Sequence, residues 1–290
     1  MINKYMVLQK VVEYRSLARA AEALGYSQSA VSQQISSLEK ELSIKLLNRS
    51  KNGAFLTAEG AELYPFLEKT VYQYQASLEK AREIRGLETG TVRMGTIASI
   101  SAHWMPGLIR EFKQSYPKVE FVIHQGDYSS IQEWIKTGAV DFGFVTPEAV
   151  SGMETVILKE GSMLAVLPEA HPLASYESVP LERLAEEPFI LLEEGCFYEP
   201  LNAFAAIGAK PKVKYTIHDD YAIMTMVEAG LGVSILAELI LHRTSYKLAL
   251  RPTLPPVKRV LAIGYKDKSG LPMASKRFIE LIRSRATELP

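Results

Sequence analysis

Gln28, Ser29, Ser32, Gln33 and Ser36 recur at intervals that fall on one side of a helix, with Ser27 at its head, and each carries a short uncharged group that both donates and accepts hydrogen bonds. Such groups match base edges in the major groove of DNA, where glutamine pairs bidentately with adenine and serine adapts to several bases. The other side of the same pattern is apolar, with Val31, Ile35 and Leu38. Downstream, Arg49 and Lys51 precede the turn-forming Asn52-Gly53 and supply cations of the kind that phosphates require.

Two elements must hold that face in place. Leu17, Ala20, Ala21 and Leu24 stand at helical spacing, and the alanines are small enough for a second helix to approach closely. Gly25 can take the left-handed conformation that ends a helix, and Ser27 can cap the next one, so the stretch predicts a helix-turn-helix followed by a wing. The alternative is an ordinary helical hairpin with a solvated polar face. Solvated faces usually carry Glu and Lys, whereas this one is nearly free of charge through Gln34. Residues 1–57 also hold eight Lys and Arg against four Glu, a local charge of +4 in a chain whose total is +0. The basic excess sits where phosphates would be met.

From "SLARAAEALGYSQSAVSQQISSLEKELSIKLLNR" to "LTAEG" the chain resembles the LysR-type family of bacterial transcription regulators, and the resemblance extends over essentially its whole length. It departs at Ala58-Glu59, where the family usually has a proline-alanine pair, and at Ala237, where a proline commonly follows the "GLGVSIL" stretch. The resemblance implies an α+α/β architecture: an N-terminal winged helix-turn-helix, a long linker helix, and a C-terminal two-subdomain α/β effector domain like a periplasmic binding protein. It also implies a double-stranded DNA operator, a small-molecule effector, self-association as a homodimer and homotetramer, RNA polymerase as a further partner, and no membrane. The expected divisions are 1–57 for the DNA-binding module, 58–90 for the linker and hinge, and 91–290 for the effector half. Within that half, subdomain I is expected at about 91–160 plus 266–290 and subdomain II at about 161–265.

Composition bounds the alternatives. At 290 residues the chain suits a small module plus a larger one, and 47% apolar residues suffice for real cores. The start "MINKYMVLQKVV" lacks the basic and apolar regions of a signal peptide, which predicts a cytoplasmic protein. A single cysteine, Cys196, excludes an intrachain disulfide switch and a thiolate-clustered metal site. No phosphate-binding glycine loop, zincin pair or nucleophile elbow is present, and the five histidines are scattered, so neither an enzyme, a cofactor nor a metal centre is expected. A regulator without an effector is the alternative within DNA binding.

Leu63, Leu67, Thr70, Tyr74, Leu78 and Ala81 form the longest helical stripe, at alternating steps of about three and four. It predicts a dimerising linker helix through Leu63, Leu67, Tyr74 and Leu78, the alternative being a helix packed on its own domain. The polar segment Gly86–Gly90 reads as a hinge. Beyond it, strands are expected at 91–97, 119–125, 140–146, 163–167, 189–192, 212–217, 233–236 and 260–265, and helices at 101–116, 128–137, 200–206, 221–229 and 273–285. Leu181–Ala185 belongs to the same strand-helix set. Such alternation implies mostly parallel sheets with a ligand beyond their strand ends. By resemblance, two crossovers would lie near 147–158 and 262–268.

Strand-end turns nominate the effector contacts. Ser99, Ile100 and Ser101 open a helix whose free N–H groups favour an anion, so a small anionic metabolite is expected there; Ser99 as a simple helix cap is the alternative. Gln125, Thr146, Cys196, Phe197 and His218 lie on the other lips, and the resemblance places the turns at Ser99, Thr146 and Cys196 around the effector cavity. Asp127 reads as a helix cap. The residues do not name the effector.

Overall fold

The computed structural model describes residues 2–50, 53–84, 89–242 and 244–290, which fall into two compact units, 1–87 with 137–139 and the remainder. Lys51, Asn52 and residues 86–88 of the expected hinge lie outside the described residues.

In the first unit, α1 (Ile2–Tyr14), α2 (Leu17–Leu24) and α3 (Gln28–Leu42) precede a hairpin of β1 (Leu47–Ser50) and β2 (Gly53–Leu56), and α4 (Ala58–Ile84) follows. Val7, Leu8 and Val11 of α1, Ala20 and Ala21 of α2, and Val31, Ile35 and Leu38 of α3 form one core. Gly25 closes α2 at φ 67°, and Tyr26 N–H reaches back to the Ala21 carbonyl at 2.9 Å, the left-handed helix ending that favours glycine. Glu39 then couples helix to hairpin: its Oε1 accepts from Leu46 N–H at 2.9 Å and Leu47 N–H at 3.1 Å. The hydroxyl of Thr57 donates to the Lys45 carbonyl at 2.6 Å and accepts from Gly60 N–H at 2.9 Å, fixing the start of α4. A Cβ at Gly60 would stand 2.3 Å from the Leu46 carbonyl oxygen. The "LTAEG" run is therefore a docking device, with a threonine that bonds the hairpin and a glycine that lets the helix lie against its backbone.

The linker stripe needs correction. Leu67 is 7% exposed within the core of the first unit and Leu63 packs against it, because the first turns of α4 lie on α1 and β2. Leu67 is therefore a core residue rather than a dimer contact, and Leu63 is half-buried against the same core. Tyr74 and Leu78 are exposed, as is Phe66, which the stripe omitted.

The second unit runs β3 (Gly90–Thr96), α5 (Ala98–His103), α6 (Met105–Ser115), β4 (Val119–Gln125), α7 (Tyr128–Thr137), β5 (Phe142–Val145), β6 (Glu154–Pro168), β7 (Val179–Pro180), α8 (Leu181–Ala185), β8 (Pro188–Leu192), α9 (Glu199–Ala206), β9 (Lys212–Ile217), α10 (Asp220–Glu228), β10 (Ser234–Ala237), α11 (Glu238–Leu241), β11 (Leu248–Tyr265) and α12 (Met273–Arg285). One sheet has the order β10-β6-β11-β5-β3-β4. Its β3, β4 and β5 are parallel, but β11 runs antiparallel to both β5 and β6, and β10 antiparallel to β6, so the sheet is mixed. The strands expected at 163–167 and 260–265 are pieces of the long pair β6 and β11, which run from Leu248 opposite Pro168 to Tyr265 opposite Glu154 with register shifts between Pro252 and Val257 and between Leu261 and Ala262. Both crossovers are strands of that pair. β11 passes from one lobe to the other between Val257 and Leu261, earlier than the expected 262–268, since Val257 belongs to one core and Leu261, Ala262 and Ile263 to the other. The helix expected at 101–116 is broken at Trp104, where Pro106 prevents a continuous hydrogen-bond ladder.

We expect Gly60→Ala to destabilise the first unit by about 1–3 kcal/mol, because the new methyl meets backbone that has little room to shift. Gly107→Ala in α6, where a Cβ meets nothing within 4 Å, should instead stabilise by about 0.5–1 kcal/mol. Urea unfolding of both variants checks the pair; a neutral Gly60→Ala contradicts the docking role.

Candidate functional site

The polar face of α3 is open. Gln28, Ser29, Gln33 and Ser36 are exposed and Ser32 is half-buried. Ser27 is the helix cap: its Oγ accepts from Ala30 N–H at 3.2 Å and lies 3.0 Å from Ser29 Oγ. Arg49, on the first strand of the wing, lies across this face and donates from its guanidinium to Ser32 Oγ at 2.7 Å and Ser36 Oγ at 3.4 Å. Its remaining ion-pair contact, to Glu39, is 3.9 Å long. The structure thus brings Ser32, Ser36 and Arg49 together, with Gln28 and Gln33 exposed on the same helix. Sequence spacing gave no sign that Arg49 touches the helix rather than projecting from the wing.

In the second unit a cavity of about 300 Å³ opens between the strand ends. Ser99, Gln125 and His218 line it, as do Asp127 and Glu194. Other expected contacts lie elsewhere. Ile100 is fully buried in the core, and Ser101 commits its hydroxyl to Thr96. Thr146 is 1% exposed and donates to Glu148 at 2.8 Å. Cys196 is exposed, with its Sγ 3.4 Å from the Ala149 carbonyl, and Phe197 packs against the core. These five do not line the cavity.

The wall that sequence reading missed is charged. Arg259, on β11, is 5% exposed; its Nε lies 3.3 Å from Glu199 Oε1 and its Nη2 pairs with Glu194. Tyr128 Oη donates to the same Glu199 oxygen at 2.8 Å, and its ring stands 5.7 Å from the guanidinium carbon. Tyr128 N–H also donates to the Glu194 carbonyl at 3.2 Å. Because Tyr128 packs in one core while β8 leads into Glu194 from the other, these bonds tie the two lobes at the edge of the cavity. The available signal was register: in 257–261 the inward positions are Val257, Arg259 and Leu261, so an arginine falls at a core position.

Burial pushes the Glu194 carboxyl up to about 8, against the pull of Arg259. Asp220, which also lines the cavity, is raised by burial too. The lining carries four carboxyl groups, those of Asp127, Glu193, Glu194 and Asp220, together with the imidazole of His218 and the guanidinium of Arg259, which is already engaged.

Residues 2–61 match the family model for bacterial regulatory helix-turn-helix proteins of the lysR family, and residues 85–287 match the LysR substrate binding domain. Over 285 residues the chain is 33% identical to the HTH-type transcriptional regulator YvbU of Bacillus subtilis (strain 168), covering 97% of each protein. Among solved structures, a full-length OxyR variant from Pseudomonas aeruginosa superposes with a TM-score of 0.73 at 23% identity, covering 100% of this chain and 95% of that one. Full-length CbnR, solved in complex with its target DNA, gives 0.72 at 20% identity, covering 98% of this chain and 99% of that one. Both show the same fold.

The raised Glu194 carboxyl has a signed consequence. Unfolded, it loses its proton near 4.5, whereas folded it holds it to about 8, so between those values the folded state binds more protons. Stability from this group is present at low pH and is lost as pH rises through that window. Thermal melts from pH 5 to 8 should show Tm falling with pH in the wild type and falling less in Glu194→Gln; parallel slopes contradict the assignment.

Proposed function

The chain belongs to the LysR family of bacterial helix-turn-helix transcriptional regulators, with a DNA-binding domain and an effector-binding domain, and from that premise we propose that α3 reads an operator while the cavity beside Arg259 receives the effector that controls it. The observation that carries the DNA reading is the uncharged, exposed face of Gln28, Ser29, Ser32, Gln33 and Ser36 with Arg49 laid across it. A phosphate is a stronger partner for a guanidinium than a neutral serine hydroxyl. On DNA, Arg49 turns to the backbone and frees Ser32 and Ser36 for base edges. Lys51, which lies outside the described residues, is a second cation for the same backbone.

One helix-turn-helix covers only a few base pairs, so two copies must act on half-sites separated by helical turns. The exposed Phe66, Tyr74 and Leu78 on α4 supply an apolar surface for a second chain, in a homodimer that pairs again into a homotetramer. Ser99, Gln125 and His218 contact the effector. Among the described residues no helix is long and apolar enough to cross a membrane.

Gln33→Ala and Ser32→Ala should each cost about 1–3 kcal/mol on a selected operator and little on random DNA, measured by fluorescence anisotropy. Arg49→Ala should weaken both and reduce the salt slope by about one. Equal losses on both DNAs for Gln33→Ala refute base readout. Changing Tyr74 and Leu78 together to Glu should halve the mass seen by light scattering and abolish palindromic-site binding; an unchanged mass places the dimer elsewhere.

A further inference from the structure

Glu39 puts its two carboxylate oxygens to different uses. Oε1 accepts from the Leu46 and Leu47 N–H groups, and Oε2 stands 3.9 Å from Nη2 of Arg49. The residue lies in the last turn of α3, where the helix dipole disfavours a negative charge, so the two N–H donors and the guanidinium are what offset that placement. The side chain of Glu39 is only 18% exposed and the backbone bonds fix it, whereas that of Arg49 is 37% exposed and free to swing on its long stem. Of the pair, therefore, only Arg49 moves.

Without DNA, the guanidinium of Arg49 has three partners on α3: Ser32 Oγ at 2.7 Å, Ser36 Oγ at 3.4 Å and Glu39. A phosphate must draw it away from all three. The serine hydroxyls rotate and take new partners once Arg49 leaves. Glu39 has no such freedom, because a turn of its carboxylate breaks the bonds to Leu46 and Leu47 that hold the head of β1. On DNA it stays behind as a carboxylate that has lost its cation, close to the phosphate that took it.

Resting on the reading of α3 and the wing as the DNA-binding surface, we propose that Glu39 is a positioning residue that brakes DNA binding by competing with phosphate for Arg49. The competition is settled before any base is read, so it lowers affinity for every sequence by the same factor and leaves the preference for the operator unchanged. A half-buried ion pair fixed at one end belongs at the upper end of the range for surface pairs, which sets the brake at about threefold per chain.

The test is a double-mutant cycle on the full chain, with binding to a duplex of random sequence and to a selected operator followed by fluorescence anisotropy. Glu39→Gln keeps an acceptor for the two N–H groups and removes the charge. It should bind both DNAs about threefold more tightly or better, with the salt slope unchanged because the same phosphates are neutralised. In the Arg49→Ala background the same substitution should gain little. An equal gain in both backgrounds would mark plain repulsion between Glu39 and DNA and overturn the proposal; so would no gain, or a loss, with Tm unchanged. Should Glu39→Gln unfold the wing, side-chain NMR relaxation of the DNA-free wild type decides: Arg49 should be ordered, and an order parameter below about 0.6 overturns the brake. Arg49→Ala that leaves binding to both DNAs unaltered would overturn the reading of the wing itself.

Discussion

Arg259 rides into the interior on β11 with 5% of its surface exposed, and an ion so placed must be met by counter-charges from several sides. Glu194 and Glu199 come from the segment after β8, and Tyr128 from the head of α7 in the other lobe. The long β6 and β11 pair sets where that meeting happens, because both strands pass between the lobes there. Cavity, lobe junction and charged wall are thus consequences of one buried guanidinium on one crossing strand. Removing it would leave the buried carboxyl groups of Glu194 and Glu199 without their cation, a cost of about 3–5 kcal/mol for a broken buried pair.

The first unit depends on a different principle. The face of α3 that we propose to read DNA carries almost no charge, so the positions of the side chains rather than long-range attraction must define what they meet. Glu39 and Thr57 hold the wing to α3 and α4 through backbone hydrogen bonds, and these bonds put Arg49 over Ser32 and Ser36. Rigid placement is what short hydroxyl and amide groups need, since each reaches only a single base edge.

Local chemistry was legible in the sequence where a residue's role depends on its neighbours in the chain. Gly25 as a helix ending, Ser27 as a cap, Asp127 as a cap to Ser130, and α12 at Met273–Arg285 are all short-range features. What failed depends on partners distant in sequence. Leu67 has the same spacing whether it faces α1 or a second chain, so the stripe alone could not choose. The long strands were cut short because Thr253, Leu254, Pro255 and Pro256 interrupt the pattern of β11, where the register shifts between Pro252 and Val257. Ile100 and Thr146 stand in cavity-edge turns but point into the core. The acidic wall was hidden because Glu194, Asp220 and Arg259 are far apart in the chain and share no motif.

The central claim is that the two lobes are clamped at the Arg259 cluster, and one amide reports on it directly. Tyr128 is the first residue of α7, where a helix has no internal acceptor for its N–H, and here that group donates across the junction to the Glu194 carbonyl at 3.2 Å. Hydrogen exchange of the full chain should find the Tyr128 amide protected to a degree comparable with the paired amides of β6 and β11. Exchange at the rate of an open loop, with β6 and β11 still protected, would contradict the clamp and the cavity beside it.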